Sequence, residues 1–243
     1  MHAVVQARTG SSRLPGKVLR DLGGRPVLGW VLRAAAASGV VDRIVVATTT
    51  KPADDPVAAL AEQLGVDVVR GPEDDVLARF VLALDAGPGD PPDAVVRLTA
   101  DCPLLDPELI ALVVDTWRAD PTWDYVSTTL IRTLPRGLDV ELARADALRR
   151  LAETASGHDR VHVTSGLYAE PERFRLHGLT VDPPADDLRV TLDTADDGAA
   201  LDELVAVLGD QPPSWRRLVA ALRSRPDIVA RNAHVEQKAL EAG

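Results

Sequence analysis

In the first half of the chain, short apolar runs alternate with longer stretches in which apolar residues return at helical spacing. The runs at residues 3–5, 43–48 (RIVVAT), 66–69 and 94–99 (AVVRLT) suit buried strands. Between them, residues 26–37, 53–64 and 73–84 suit helices. Gly65 closes the second as a left-handed stop, and acids fill the first turn of the third. Another helix begins at Pro107, capped by Asp106, and runs to about residue 118. Such alternation through the first ~120 residues is the signature of βαβ units on a mostly parallel sheet. The second half is less regular. Strands are expected at 125–128 and 138–142, with a turn around Pro135 and Gly137 between them. Helices follow at 144–155 and 158–169, strands at 174–181 and 188–192, and closing helices at 199–208 and 215–223. No repeat, heptad array or stretch of linker composition divides the chain, so residues 1–243 are expected to form one α/β domain.

Hydrophobic residues make up 46% of the chain but aromatics only 3%, so the core is expected to be built from Val, Leu, Ile and Ala. No apolar run approaches the roughly 20 residues of a membrane span. There is no basic, hydrophobic leader, and the single cysteine, Cys102, has no partner for an internal disulfide. A cytoplasmic protein is expected, with disorder confined to the last few residues. The net charge of −10 argues against a general nucleic-acid binder.

That acidity gives weight to one basic loop. Residues 6–17 read QARTGSSRLPGK and carry Arg8, Arg13 and Lys17 with no acid, two hydroxyls at Ser11 and Ser12, and glycines at 10 and 16. The loop follows the first strand, at the carboxyl edge where open α/β sheets bind ligands. Cations, hydroxyls and accessible amides in one place suit a polyphosphate. A connection that merely happens to be basic is the bland alternative. The loop is not a Walker A motif: its glycines stand one residue too far apart, and Val18 follows Lys17. A G-x-G-x-x-G dinucleotide fingerprint is absent as well.

Asp101 and Asp193 close the expected strands at 94–99 and 188–192, on the same edge as the basic loop. Two carboxylates facing a triphosphate are what Mg²⁺ needs, since it draws its remaining oxygens from phosphate and water. Each also has an ordinary alternative as a turn former, and Asp193 could cap the helix after it. Cys102 lacks a partnered histidine and reads as a structural thiol. His158 and His162 share a helical spacing but have no third ligand nearby, so zinc is not expected, and there is no G-x-S-x-G elbow.

The segment Ala7-Arg8-x-x-Ser11-x-Arg13-Leu14-Pro15-Gly16-Lys17 resembles the nucleotide-binding signature of the sugar cytidylyltransferases, which make CMP-activated acidic sugars including the 3-deoxy-manno-octulosonate group. The likeness is greatest to the spore-coat polysaccharide biosynthesis branch. It continues, in order, through Val45–Thr50, Arg70–Leu77 with Arg79, Val96–Leu104, Gly137–Glu141, His162–Thr164 and Leu192–Thr194. The resemblance implies a three-layer, GT-A-like nucleotidyltransferase fold and transfer of a nucleoside monophosphate with release of pyrophosphate. Residues 1–120 would be the nucleotide-binding half, 121–208 the acceptor and dimerisation half, and 209–243 C-terminal helices.

By the same resemblance, Ala7, Arg8, Ser11, Arg13 and Lys17 would hold the triphosphate, with Thr48, Arg79 and Arg97 completing the nucleotide site. Arg13, Lys17 and Asp101 would be catalytic, and Asp101 and Asp193 would bind Mg²⁺. Asp139, Glu141 and His162 would face the acceptor. The substrates would be CTP and a small acceptor, and a homodimer built from about residues 125–185 is expected. The chain departs from the family pattern at Ala100, usually Gly, at Val161, often Glu, and at Ser165, often Pro. The last two put the identity of the acceptor in question. A GT-A glycosyltransferase is the nearest rival, but its usual Asp-x-Asp motif is replaced here by Ala100-Asp101-Cys102-Pro103. A non-catalytic nucleotide-binding protein is the other.

Overall fold

The computed structural model describes residues 1–87 and 89–237; the expected disorder of the last few residues lies outside the described residues. The chain runs from β1 (His2–Gln6) through a small hairpin, β2 (Asp21–Leu22) and β3 (Arg25–Pro26), to α1 (Val27–Ala37) and β4 (Arg43–Thr49). Next come α2 (Asp55–Gln63), β5 (Asp67–Gly71), α3 (Val76–Asp85), β6 (Ala94–Thr99) and α4 (Pro107–Ala119). The second half holds β7 (Tyr125–Ser127), β8 (Glu141–Arg144), α5 (Ala145–Thr154), α6 (His158–His162), α7 (Ser165–Ala169) and β9 (Leu176–Gly178). It closes with α8 (Ala195–Leu208), α9 (Trp215–Ser224) and α10 (Pro226–Asn232).

Seven strands form one sheet in the order β5-β4-β1-β6-β8-β7-β9. All pairings are parallel except those of β8, which runs against both neighbours. The sheet is buried on both faces, which is why its strands read as nearly continuous apolar runs. Val5, Val46 and Leu98 point into a core shared with α1, α4 and α8, whereas Val4, Val45 and Val95 point into a core shared with α3 and α5. This is the expected three-layer architecture. Strand order reverses at β1, whose neighbours are β4 and β6, and Gln6 stands level with Ala47 and Thr99. The three loops leaving those strands therefore gather at one edge, where a crevice is dictated by topology.

Several elements differ from expectation. The stretch 188–192 does not join the sheet. It makes an isolated bridge, Arg136 with Arg189, and Leu192 donates to Asp101 O at 2.8 Å. The strand expected at 138–142 begins later, at Glu141, and only Leu176–Gly178 of 174–181 is paired. The helix expected at 158–169 is broken at Val163, which is fully buried with φ 64, a conformation that a β-branched residue rarely adopts. The third helix starts at Val76. Asp75 caps it by accepting from Ala78 N at 2.8 Å, so its acids precede the first turn. The caps at Gly65 and Asp106 are as expected.

Candidate active site

The basic loop leaves β1 at Gln6 and returns through Gly16, where φ 70 lets Gly16 N reach Thr9 O at 2.9 Å. That closure lifts Lys17 over the sheet edge. Its ammonium lies between the two carboxylates, 2.6 Å from Asp101 Oδ2 and 2.7 Å from Asp193 Oδ1. Arg13 approaches the other oxygen of Asp193 at 3.0 Å and Arg189 approaches it at 2.8 Å. Burial alone would push the Asp193 carboxyl up, but Lys17, Arg13 and Arg189 bring it below its ordinary value. Burial likewise opposes the charge on Lys17, and the two aspartates more than restore it.

A cavity of about 680 Å³ lies on the basic-loop side of the carboxylates and is bordered by Ala7, Arg8, Ser11, Arg13, Lys17 and Arg79. A second, of about 600 Å³, lies on the β8 side and is bordered by Arg97, Arg132, Arg136, Asp139, Glu141 and Thr164. Thr99, Asp101, His162 and Asp193 border both. The two carboxylates thus stand where two ligand-sized spaces meet. Both direct an oxygen at one cationic centre, the donor arrangement a hard divalent cation uses when phosphate and water supply its other oxygens. Among the described residues no three carboxylate, His or Cys side chains cluster as a metal cage.

Most residues singled out in the sequence converge here, but two do not take their expected places. Thr48 is fully buried on the strand face of Val46, beneath the sheet edge, and borders neither cavity. Arg97, expected with the nucleotide, stands opposite Glu141 in register and pairs with it, so it belongs to the other cavity. Arg79 is 2% exposed, and its Nε and Nη1 find no partner among the described residues. Two buried guanidinium nitrogens left without a hydrogen bond are costly unless a ligand engages them. The Cys102 thiol is buried, which pushes it well above its ordinary value and leaves it inert.

A brace behind Asp193 was not anticipated. Asp197 is fully buried and accepts from Asp193 N at 2.9 Å, Thr194 N at 3.0 Å and Asn232 Nδ2 at 2.9 Å. Arg189 Nε donates to the same oxygen as Asn232, Oδ1, at 2.8 Å, while the two amides share Oδ2. Thr194, not Asp193, caps α8, in a capping box with Asp197. This frees Asp193 for the site, and the Thr194-x-x-Asp197 spacing was the signal in the sequence. A second tie joins the basic loop to β4: Thr9 N donates to Asp54 Oδ1 at 2.6 Å, and Thr49 donates to the other oxygen.

Comparison with known proteins accords with this geometry. Residues 2–176 match the family model described as Cytidylyltransferase. An uncharacterised protein of Methanocaldococcus jannaschii is 37% identical over 240 residues, covering 97% of this chain and 95% of its own. The spore coat polysaccharide biosynthesis protein SpsF of Bacillus subtilis is 33% identical over 92% of this chain and 94% of its own. Among solved structures, a cytidylyltransferase from Leptospira borgpetersenii superposes with a TM-score of 0.89 at 27% identity, covering 98% of each chain. Matched over its sheet, its basic loop and its first carboxylate, the chain belongs to the cytidylyltransferase family and is a nucleotidyltransferase enzyme.

Proposed function

We propose that the protein transfers CMP from CTP to a sugar, sugar-phosphate or phosphonate acceptor, with Mg²⁺, and releases pyrophosphate. The observation that carries this reading is the meeting of two cavities at Asp101 and Asp193, one walled by cations and hydroxyls suited to phosphate and the other by polar groups suited to hydroxyls. CTP is favoured by the family, by 39% identity over 109 residues to the 3-deoxy-manno-octulosonate cytidylyltransferase of Acidobacterium capsulatum, and by a fold neighbour whose complex contains CTP.

In this reading Arg8, Arg13 and Lys17 hold the triphosphate, and Arg79 meets the nucleoside end of the same cavity. An acceptor oxygen in the second cavity attacks the α-phosphorus in line, forming the new P–O bond as the bond to pyrophosphate breaks. Pyrophosphate leaves with the electron pair, and Arg13 and Lys17 stabilise its developing charge. Asp101 and Asp193 would hold Mg²⁺, whose chemistry is to neutralise phosphate oxygens. An ionised phosphate or phosphonate needs no base. A sugar hydroxyl does, and in this reading His162, which borders both cavities, would receive its proton. A cytoplasmic homodimer is part of the same reading.

Calorimetric titration with CTP, UTP, ATP, GTP and a CDP-sugar, each with Mg²⁺ and with EDTA, tests the nucleotide assignment. Metal-dependent preference for CTP is expected, and acceptors are then screened by pyrophosphate release. Preference for the nucleotide-sugar, with weak binding of every triphosphate, would overturn the reading in favour of a glycosyltransferase.

A further inference from the structure

Three arginines border the cavity on the β8 side, and two are engaged within the protein. Arg97 pairs with Glu141, and Arg132 grips both oxygens of Asp139 at 2.7 and 3.2 Å. The guanidinium of Arg136 has no hydrogen bond and no ion pair among the described residues.

Its mounting, by contrast, is rigid. Arg136 N donates to Leu188 O at 2.9 Å, and its carbonyl accepts from Val190 N at 2.7 Å. The following residue, Gly137, has φ 105, and a Cβ there would stand 2.6 Å from Thr191 N. The turn is thus pressed against the segment that carries Asp193 and holds Arg136 at a fixed place on the cavity wall. An arginine kept for solubility stands in open water. Arg136 is half-buried beside Arg132, and both circumstances oppose its charge. An anion entering the cavity removes both penalties and meets a planar fork with five free donors. The neighbouring Asp139 and Glu141 only accept hydrogen bonds, which suits hydroxyls on the same ligand.

We propose that Arg136 is the specificity-determining residue for the acceptor. It pairs with a carboxylate, phosphate or phosphonate that takes no part in the reaction and is carried by a polyhydroxylated acceptor. The acceptor role rests on the nucleotidyl-transfer reading; the anion site itself is testable without it.

The probes are matched pairs differing in charge: glucuronate against glucuronamide, and glucose 6-phosphate against glucose. Each is titrated by calorimetry into wild-type protein and into Arg136→Ala, Arg136→Gln and Arg136→Lys, with and without saturating CTP and Mg²⁺. At least one anion should bind wild type about 10-fold or more tightly than its neutral counterpart. That advantage should vanish in Arg136→Ala and Arg136→Gln, while Arg136→Lys keeps part of it for the phosphate. Circular dichroism melting of all four proteins separates loss of binding from loss of fold. No advantage for either anion in the wild type, or the same advantage in Arg136→Ala, overturns the proposal. CTP binding in the same experiments reports on the nucleotide reading separately: its absence leaves the anion pairs readable, and its presence does not rescue them.

Discussion

At the scale of single residues, the site is set by one ammonium placed between two carboxylates. Lys17 stays protonated because Asp101 and Asp193 outweigh the burial that opposes its charge, so its sign is constant through the working pH range. Replacing it removes a positive charge where pyrophosphate charge would develop. Lys17→Ala is therefore expected to lower kcat about 100-fold, the usual loss for one preorganised donor, while the protein still folds cooperatively. An unchanged kcat in a steady-state pyrophosphate assay would contradict the assignment. Lys17→Arg should restore little, because a planar fork cannot take the place of a compact ammonium between two oxygens. The convergence of Lys17, Asp101 and Asp193 was legible in the sequence because the basic loop and the two apolar runs were expected to end at one edge. Thr48 and Arg97 were misplaced because a strand sends alternate side chains to opposite faces and neighbours. Thr48 shares the face of Val46, and Arg97 lies in register with Glu141.

At the scale of elements, the stretch from Arg189 to α8 shows why part of the chain was not legible. Its apolar run reads as a strand, yet it bonds to the turn at Arg136 and to Asp101, and not to the sheet. Periodicity reports burial, not the partner that supplies the hydrogen bonds. What fixes this segment is Asp197, which takes amide donors from Asp193 and Thr194, a guanidinium from Arg189 and an amide from α10. Truncating one partner of a buried ion pair leaves the other charge stranded, at a cost of about 3–5 kcal/mol. Asp197→Ala should accordingly lower the melting temperature by roughly 6–20 °C. Asp197→Asn keeps the shape and should lose less stability, but it loosens the hold on Asp193 and so should weaken CTP binding in Mg²⁺ more than in EDTA. Equal weakening in both would place the role of Asp197 in folding alone. The break at Val163 belongs to the same scale: a continuous helix would carry His162 and Thr164 around its axis, whereas the left-handed residue between them keeps both on the cavity.

At the scale of the molecule, a chain of net charge −10 assembles a basic crevice by tying loops from distant parts of the sequence to buried carboxylates. The parallel sheet that gathers those loops was legible, since runs buried on both faces admit few other arrangements. The ties were not, because an aspartate in a loop looks the same whether it is solvated or buried. Asp54, at 3% exposure, is such a tie. Burial pushes its carboxyl up, but hydrogen bonds from Thr49 and Thr9 outweigh it and leave the group below its ordinary value. A carboxylate lowered in the folded state binds its proton more readily when unfolded. Its stabilising contribution is therefore complete above the ordinary range near 3.8 and is lost as pH falls toward the folded value. Asp106 runs the other way: burial raises it, so it takes up a proton first in the folded state and adds stability as pH falls. A comparison with a variant isolates the first effect. Asp54→Asn should melt below wild type at pH 7, and the gap should narrow as pH falls through 4 toward 3, because the wild-type carboxylate is then being neutralised as well. A gap independent of pH would mean that Asp54 holds the basic loop by shape, with its charge contributing nothing.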